Sequence, residues 1–168
     1  NGGRTIINAI GEKVVTAENT YCGYVAIVGR PNVGKSTLLN HILGQKLCIT
    51  SRNPQTPRHT LLGIKTNDNI QMIFVDTPGI HTNQERAINR VMNRSAASVI
   101  SDVDLVIFVV DRFEWREADE YVAKYLSNNK VPLIVALNKV DMIEDKKALL
   151  PHLEFLSSKV NAVELIPL

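Results

Sequence analysis

Uninterrupted apolar runs alternate along the chain with stretches whose apolar residues recur at helical spacing. The runs Val25–Val28, Leu105–Val110 and Val131–Leu137 predict strands that are buried on both faces. The apolar residues of Lys35–Leu43 share one helical face, and Gly44 follows directly, as is typical of a helix end. The chain therefore alternates between strand and helix from its first apolar run onward.

Three further helices are predicted by apolar residues at helical spacing over residues 88–100, 118–126 and 149–160. Pro151 falls in the first turn of the last of these, where proline is tolerated. Ala162–Pro167 then predicts a final strand. Apolar strands separated by amphipathic helices favour a parallel sheet that is covered on both faces.

One pair of strands does not fit the parallel pattern. Leu61–Thr66 and Ile70–Val75 flank a short polar turn, Asn67-Asp68-Asn69, and predict a hairpin. This hairpin adds an antiparallel strand at an edge of the sheet. The fold class is therefore α/β, with a mostly parallel sheet, one antiparallel edge strand and helices on both faces.

Two segments show no clear periodicity. Residues 1–20 are interpreted as a flexible extension, or as a remnant foreign to the native chain, and a short strand over Thr5–Ile10 is the alternative. Residues 44–60 form a long polar connection that contains two prolines. A connection of that length inside a compact domain is usually functional or mobile. Residues 21–168 remain as the predicted domain.

Composition limits the class of protein. The 168 residues are 45% hydrophobic and 21% charged, which suits one globular domain with a core and excludes a disordered tail. The net charge of +2 is too small to indicate nucleic acid by itself. Two cysteines cannot form a disulfide framework, and the apolar runs are too short to span a membrane. We therefore expect a reducing, cytoplasmic setting.

Residues Gly29–Ser36, with the sequence GRPNVGKS, match the phosphate-binding loop G-x-x-x-x-G-K-S. Its glycines let backbone N–H groups turn inward around an anion, and the helix that begins at Lys35 adds its N-terminal dipole. We expect Lys35 to reach the β- and γ-phosphates and the Ser36 hydroxyl to ligate Mg²⁺. The motif follows a predicted strand and opens a predicted helix, which is the context it requires.

A second motif, Asp76-Thr77-Pro78-Gly79, follows the predicted strand Ile70–Val75. Ligands of open α/β sheets bind at the carboxyl ends of the strands. An acidic residue there can hold Mg²⁺ directly or through water, and the Gly79 N–H can contact a γ-phosphate. The tetrapeptide alone is a common turn, but after a phosphate loop it predicts a sensor of Mg²⁺ and γ-phosphate.

A third motif, Asn138-Lys139-Val140-Asp141, ends another buried strand. A carboxylate can accept hydrogen bonds from guanine N1 and the exocyclic amine, and adenine offers no such pair, so Asp141 is expected to select guanine. Asn138 can tie this loop to the phosphate loop, and the Lys139 stem can cover the base. An ATPase or nucleotide kinase with the same phosphate loop is the alternative, and this motif argues against it.

The three motifs, together with Tyr24–Ser51, Arg86–Val110 and Leu150–Leu156, resemble the Era-type GTPase family. These are ribosome-assembly GTPases of the TrmE-Era-EngA-YihA-Septin-like class, and the resemblance covers about residues 21–168. It implies a Ras-like P-loop NTPase fold and a switch that hydrolyses GTP slowly to GDP and phosphate. It also implies a role in 16S rRNA processing and assembly of the small (30S) ribosomal subunit.

The resemblance also implies roles for individual residues. It assigns nucleotide contacts to Gly29, Arg30, Pro31, Asn32, Val33, Gly34, Lys35, Ser36, Thr37, Asp76, Thr77, Pro78, Gly79, Asn138, Lys139 and Asp141. Within that set it assigns catalytic roles to Lys35, Asp76 and Gly79. It assigns Mg²⁺ binding to Ser36 and Asp76. It places K⁺ near Asn32, for which capping of the loop is the alternative.

Both switch segments depart from the family pattern. The first switch of the family carries Q-T-T-R, whereas residues 55–58 read Q-T-P-R. Pro57 thus replaces the threonine expected to bind Mg²⁺, and Thr56 or Thr60 is the substitute. Ile80 occupies the position at which Ras-like enzymes orient water with glutamine, so slow intrinsic hydrolysis is predicted.

The family continues beyond the final strand with a guanine-contacting Ser-Ala motif, a last helix and a KH domain that binds the 3′ end of 16S rRNA. The sequence ends at Leu168 before these parts. We therefore expect a C-terminally incomplete GTPase domain with exposed apolar sheet, taken from a longer protein. The resemblance implies 16S rRNA and the 30S subunit as partners, a monomer, and peripheral association with the inner membrane.

Two other functions stay open at this point. A nucleotide-gated binding module with negligible turnover is favoured by Ile80 and Pro57. The GTPase domain of a tandem-GTPase or tRNA-modification GTPase is the other alternative. Arg86, Arg90 and Arg94 form a basic stripe on a predicted helix, which is either a solvated face or a contact for RNA or a partner domain.

Overall fold

A computed structural model describes residues 4–7, 13–16, 19–44, 61–77, 97–112 and 114–168. The strands and α-helices in chain order are β1 (Arg4–Ile7), β2 (Lys13–Thr16), β3 (Tyr21–Val28), α1 (Lys35–Leu43), β4 (Leu61–Asn67), β5 (Ile70–Val75), α2 (Ala97–Ser101), β6 (Leu105–Asp111), α3 (Glu117–Ser127), β7 (Leu133–Asn138), α4 (Leu149–Lys159) and β8 (Glu164–Pro167). Two short 3₁₀ turns, Val140–Met142 and Lys146–Ala148, lie between β7 and α4.

The main sheet has six strands in the order β4-β5-β3-β6-β7-β8. Strands β5, β3, β6, β7 and β8 run parallel, and β4 pairs antiparallel with β5 at one edge. The predicted α/β class, with one antiparallel edge strand, is confirmed. Because these five strands are parallel, their carboxyl ends all lie at one edge of the sheet.

The apolar runs are buried on both faces, as their lack of alternation predicts. On one face, Phe108 and Leu137 are fully buried in a cluster that extends to Val122 and Leu126 of α3 and Leu156 of α4. On the other face, a second cluster includes partly buried apolar residues of α1: its buried members are Val25, Ile27, Val33, Leu39, Phe74, Val109 and Ala136. Two apolar layers therefore fix the central strands, and with them the loops at their carboxyl ends.

Most predicted elements are confirmed, with shifts of a few residues at their ends. Helix α1 covers Lys35–Leu43 as predicted, and Gly44 ends it with a φ of 71°. The hairpin of β4 and β5 is also confirmed. Pro151 lies in the first turn of α4. Of the helix predicted over residues 88–100, only α2 lies within the described residues, and residues 45–60 of the predicted long connection lie outside them.

The first strands form a small sheet of their own. Strands β1 and β2 pair antiparallel, from Arg4 with Thr16 to Ile7 with Lys13. The alternative to a flexible extension, a short strand over Thr5–Ile10, has its counterpart in β1, which begins one residue earlier and ends at Ile7. The division of the chain at residue 20 stays a prediction.

Apolar side chains are exposed beside the edge strand β8. Val163, Ile166 and Leu168 are 66%, 38% and 41% exposed. Ile166 lies in β8, whereas Val163 and Leu168 flank the strand, and the predicted exposure of apolar sheet at this end stays a prediction. Across the described part of the chain, no helix is long and apolar enough to cross a membrane.

Candidate nucleotide-binding site

Four adjacent strands bring the predicted motifs to one edge of the sheet. The phosphate loop follows the central strand β3, and Asp76 follows β5 on one side. On the other side, Asp111 ends β6 and Asn138 ends β7, where the two residues are paired in register. The parallel order alone therefore places all three motifs at the edge where α/β proteins bind ligands.

Two glycines of the phosphate loop have conformations and surroundings that no other residue fits. Gly29 has a φ of 146°, and a Cβ built there would lie 2.3 Å from the carbonyl oxygen of Val109. Gly34 has a φ of 101°, and its Cβ would lie 2.1 Å from Nδ2 of Asn138. Both distances are shorter than any contact that a real Cβ makes. The two glycines are therefore required because neighbouring atoms lie so close to their backbone, as well as by their positive φ.

Helix α1 begins at the end of this loop. The Leu38 N–H donates to the Gly34 carbonyl at 2.9 Å, and no side chain among the described residues caps the helix start. Its first amides and the helix dipole therefore favour an anion. Ser36 and Thr37 of the first turn are exposed, so their hydroxyl groups are accessible to a ligand.

The Lys35 ammonium is buried at the base of the loop. Its Nζ donates to the carbonyl oxygens of Gly29 at 2.9 Å and Arg30 at 2.7 Å. The pKa of Lys35 is lowered to about 8: burial is the largest cause, the nearby Arg30 charge also lowers it, and Asp119 raises it in part. A buried ammonium whose charge is disfavoured by its surroundings gains from a polyanion bound beside it. This setting suits a lysine that binds phosphate.

The motif that is predicted to read guanine is tied to the phosphate loop by side chains. Nδ2 of Asn138 donates to the Val33 carbonyl at 2.8 Å, which confirms the predicted tie. Oδ1 of Asn138 accepts from the Lys139 N–H at 2.9 Å, and Lys139 adopts a left-handed φ of 66°. The Lys139 ammonium then donates to the Asn32 carbonyl at 3.0 Å. Both polar residues therefore hold the base-reading loop against the phosphate loop.

Asp141 lies in the 3₁₀ turn Val140–Met142 and is exposed. The start of this turn is held by backbone, since the Val140 N–H donates to the Leu168 carbonyl at 3.1 Å and Leu168 donates to Leu137 at 2.8 Å. An accessible carboxylate on a fixed turn is the arrangement that recognition of guanine N1 and its amine requires. That Asp141 contacts the base stays a prediction.

The second motif is described only at its start. Thr77 is fully buried, and its hydroxyl donates to the Ile27 carbonyl at 3.3 Å, so its side chain fixes the end of β5 against β3. Asp76 is half-buried at the same strand end. Pro78, Gly79 and the switch residues Thr56, Thr60, Pro57 and Ile80 lie outside the described residues, and their assigned roles stay predictions.

The oxygen donors at this edge fit Mg²⁺. Ser36 carries a hydroxyl in the first turn of α1, and Asp76 carries a carboxylate directly after β5; that they hold Mg²⁺ stays a prediction. Mg²⁺ prefers few protein oxygen ligands together with phosphate and water. Within the described ranges no group of three or more histidine, cysteine, aspartate or glutamate side chains could hold a metal. The donor set thus agrees with a metal that is bound mainly through the nucleotide.

Sequence reasoning missed a group of buried charges beside the loop. The Arg30 guanidinium binds Asp119 at 3.1 Å and Glu114 at 3.1 Å, which leaves its backbone to line the loop, and the predicted contact of Arg30 with the nucleotide stays a prediction. Asp111, 7% exposed, was not singled out. Its position directly after an apolar run, at a strand end like Asp76 and Asn138, was the signal that could have found it.

A family model described as 50S ribosome-binding GTPase matches residues 24–139. Curated relatives named GTPase Era include those of Ectopseudomonas mendocina and Marinobacter nauticus, 58% and 63% identical over 147 residues. These matches cover 88% of this chain and 49% and 48% of the relatives. The chain thus spans about half the length of the curated relatives it matches.

Solved structures agree with these matches. Era in complex with MgGDPNP and nucleotides 1506–1542 of 16S ribosomal RNA is 36% identical, with a TM-score of 0.70 over 89% of this chain and 51% of that one. An Aquifex aeolicus Era variant bound to GDP·AlF₄⁻ is 38% identical, with a TM-score of 0.68 over 88% and 50%. Since the family model covers more than half of its residues, this chain belongs to the GTPase family described as 50S ribosome-binding GTPases, and within that family it is similar to GTPase Era.

Proposed function

We propose that this chain is the nucleotide switch of an Era-type GTPase, which binds and hydrolyses GTP and acts in 16S rRNA processing and assembly of the 30S subunit. The observation that carries the proposal is the bond from Asn138 to the Val33 carbonyl, beside the start of α1, which no described side chain caps. It joins the loop that is predicted to bind phosphate to the loop that is predicted to read guanine. The similarity to Era supports the choice of this cellular role.

GTP hydrolysis requires the protein to position the nucleotide and the attacking water more than to take part in covalent chemistry. Water attacks the γ-phosphorus, the bond from that phosphorus to the β–γ bridging oxygen breaks, and GDP leaves with the electron pair. The Lys35 ammonium, held at the base of the loop, stabilises charge on the β- and γ-phosphate oxygens. Mg²⁺, held by Ser36 and Asp76, would supply further positive charge when bound with the nucleotide.

Hydrolysis by the chain alone is expected to be slow, because Ile80 cannot hydrogen-bond to water. Asn32 offers one remedy, since its side chain is exposed on the loop at a left-handed φ of 64° and could hold K⁺ near the phosphates. We expect faster turnover in K⁺ than in Na⁺ at equal ionic strength, and no such difference for Asn32→Ala. Equal wild-type rates in the two salts would reject the K⁺ site.

Single-turnover hydrolysis of γ-labelled GTP tests the proposed activity. The full-length protein is mixed with GTP in the presence and absence of purified 30S subunits, with Lys35→Ala as the inactive control. We expect slow release of labelled phosphate that is accelerated by the subunits and lost in the variant. Excess unlabelled ATP should not compete, whereas excess unlabelled GTP should.

The binding module without turnover is the second candidate, and Ile80 is the observation that favours it. It predicts that GTP stays intact on the protein with and without 30S subunits, although GTP and GDP bind tightly. Cleavage of GTP above the Lys35→Ala background would exclude it. The same set of reactions therefore decides between the two functions.

The RNA partner is tested separately. The solved Era complex contains nucleotides 1506–1542 of 16S ribosomal RNA, and we extend this to the protein that contains the present chain. We expect the full-length protein to bind that RNA fragment more tightly with a non-hydrolysable GTP analogue than with GDP. Equal binding in the two nucleotide states, or binding no tighter than to a scrambled RNA of the same length at 150 mM salt, would contradict the switch role.

A further inference from the structure

A set of buried charges lies behind the phosphate loop. The guanidinium of Arg30 is 8% exposed and Asp119 is fully buried, with 3.1 Å between Nε and Oδ2. Arg30 also reaches Glu114 at 3.1 Å. The Asp119 carboxylate accepts in addition from the Arg116 N–H at 3.0 Å, so it is fixed on the first turn of α3. Arg30 is thereby anchored at a point outside the loop.

Asp111 lies between this anchor and the base-reading loop. Its Oδ2 lies 3.7 Å from the Arg30 guanidinium and 2.6 Å from the Lys139 ammonium. The Lys139 ammonium donates at the same time to the Asn32 carbonyl of the phosphate loop. One carboxylate therefore faces a cation from each of the two loops that would grip opposite ends of a nucleotide.

The backbone fixes Asp111 in this position. It is the last residue of β6, paired in register with Asn138 of β7, and the following Arg112 N–H donates to the Asn138 carbonyl at 3.0 Å. Buried ion pairs contribute little net stability, because desolvation offsets their attraction. The buried Asp111 carboxylate is therefore better explained by its positioning of Arg30 and Lys139 than by a contribution to stability.

We propose that Asp111 is a positioning residue for guanine-nucleotide binding, which holds Lys139 against the phosphate loop and is itself held by Arg30. This inference rests on the proposed function and adds a residue to it. Loss of the Asp111 charge frees Lys139 to leave the Asn32 carbonyl. Nucleotide then escapes more readily, because the base-reading loop is no longer closed against the phosphate loop.

The test measures binding and release of a fluorescent GDP by the full-length protein. Asp111→Asn keeps the shape and removes the charge, and we expect release to be roughly tenfold faster, as for loss of one charge-assisted bond. Glu117→Gln, an exposed carboxylate on the nearby α3, is the matched control and should release GDP at the wild-type rate. Wild-type release by Asp111→Asn would overturn the proposal.

A double-mutant cycle separates positioning from general weakening of the fold. If Asp111 acts through Lys139, then Asp111→Asn has no further effect on GDP release in a Lys139→Met background. Equal effects in both backgrounds would overturn the proposal. If Asp111→Asn does not fold, Arg30→Lys replaces it, and we expect release a few fold faster that also disappears in the Lys139→Met background. Failure of the wild-type protein to bind GDP would instead reject the proposed function.

Discussion

The two loops that form the candidate site are built in different ways. Half of the phosphate loop is buried, and its predicted ligand groups are backbone amides beside glycines with positive φ. The base-reading loop is half-buried to exposed, and its predicted ligand is the single carboxylate of Asp141. Affinity should therefore depend on the shape of the first loop, whereas selectivity should depend on one side chain of the second.

The difference also explains how the loops respond to substitution. A side chain added to the phosphate loop meets backbone or Asn138 and distorts the loop. A substitution of the exposed Asp141 side chain disturbs no packed neighbour. The turn stays intact because backbone hydrogen bonds hold it. Two substitutions and one change of pH test this contrast between the loops.

Gly34→Ala should have the largest effect. The added Cβ would lie 2.1 Å from Nδ2 of Asn138 at a strained φ of 101°, so the bond from Asn138 to the Val33 carbonyl is lost with it. Strain and the lost bond together cost about 3–5 kcal/mol, which weakens GDP binding by about a hundredfold or more. Titration calorimetry with GDP measures this change.

Gly44→Ala is the matched control for backbone strain. Gly44 also has a positive φ, 71°, but a Cβ built there meets no atom of the described residues within 4 Å. We expect a loss of about 1 kcal/mol of unfolding free energy in urea and no change in GDP affinity. Equal loss of GDP affinity in the two glycine variants would show that the clash with Asn138 is not the cause of the loss in Gly34→Ala.

Asp141→Asn should change selectivity with little change in stability. The amide can no longer accept two bonds from guanine, so GDP binding should weaken by roughly a hundredfold. Xanthine carries an oxygen in place of the amine, and its nucleotide should bind the variant more tightly than GDP does. Asp145→Asn, another exposed carboxylate nearby, is the control and should leave the preference for GDP unchanged.

A rise in pH should weaken binding modestly through Lys35. Burial lowers its pKa to about 8 in the ligand-free protein, and a bound polyphosphate raises it again, so the bound state holds more protons. Affinity is therefore constant well below pH 8 and falls above it. Between pH 7 and pH 8.5 we expect a loss of about fourfold. The weaker binding of Lys35→Gln should not vary over this interval.

The elements at the site could be predicted because their sequence signals are local. Uninterrupted apolar runs marked β6 and β7, and Lys35 and Gly44 marked the ends of α1, since helix ends and buried strands depend on neighbouring residues. The motif residues fell at strand ends for the same reason. Parallel topology then brought them together without further information.

The charges behind the loop could not be predicted in the same way. Arg30 and Asp119 are 89 residues apart, and Lys139 and Asp111 are 28 apart, so no local pattern relates them. The motif assigned Arg30 to the nucleotide by its position alone. That its side chain reaches α3 shows only in the folded chain, where β3 lies beside β6, and its backbone contact with the nucleotide stays a prediction.

The central claim is that one pocket holds phosphates by backbone amides and selects guanine by a carboxylate. Side-by-side calorimetric titration of the wild-type protein with GDP and ADP, both with Mg²⁺, tests it most directly. Because the two nucleotides carry the same phosphates, any difference in affinity comes from the base. We predict that GDP binds at least about a hundredfold more tightly than ADP, and equal affinities would contradict the account.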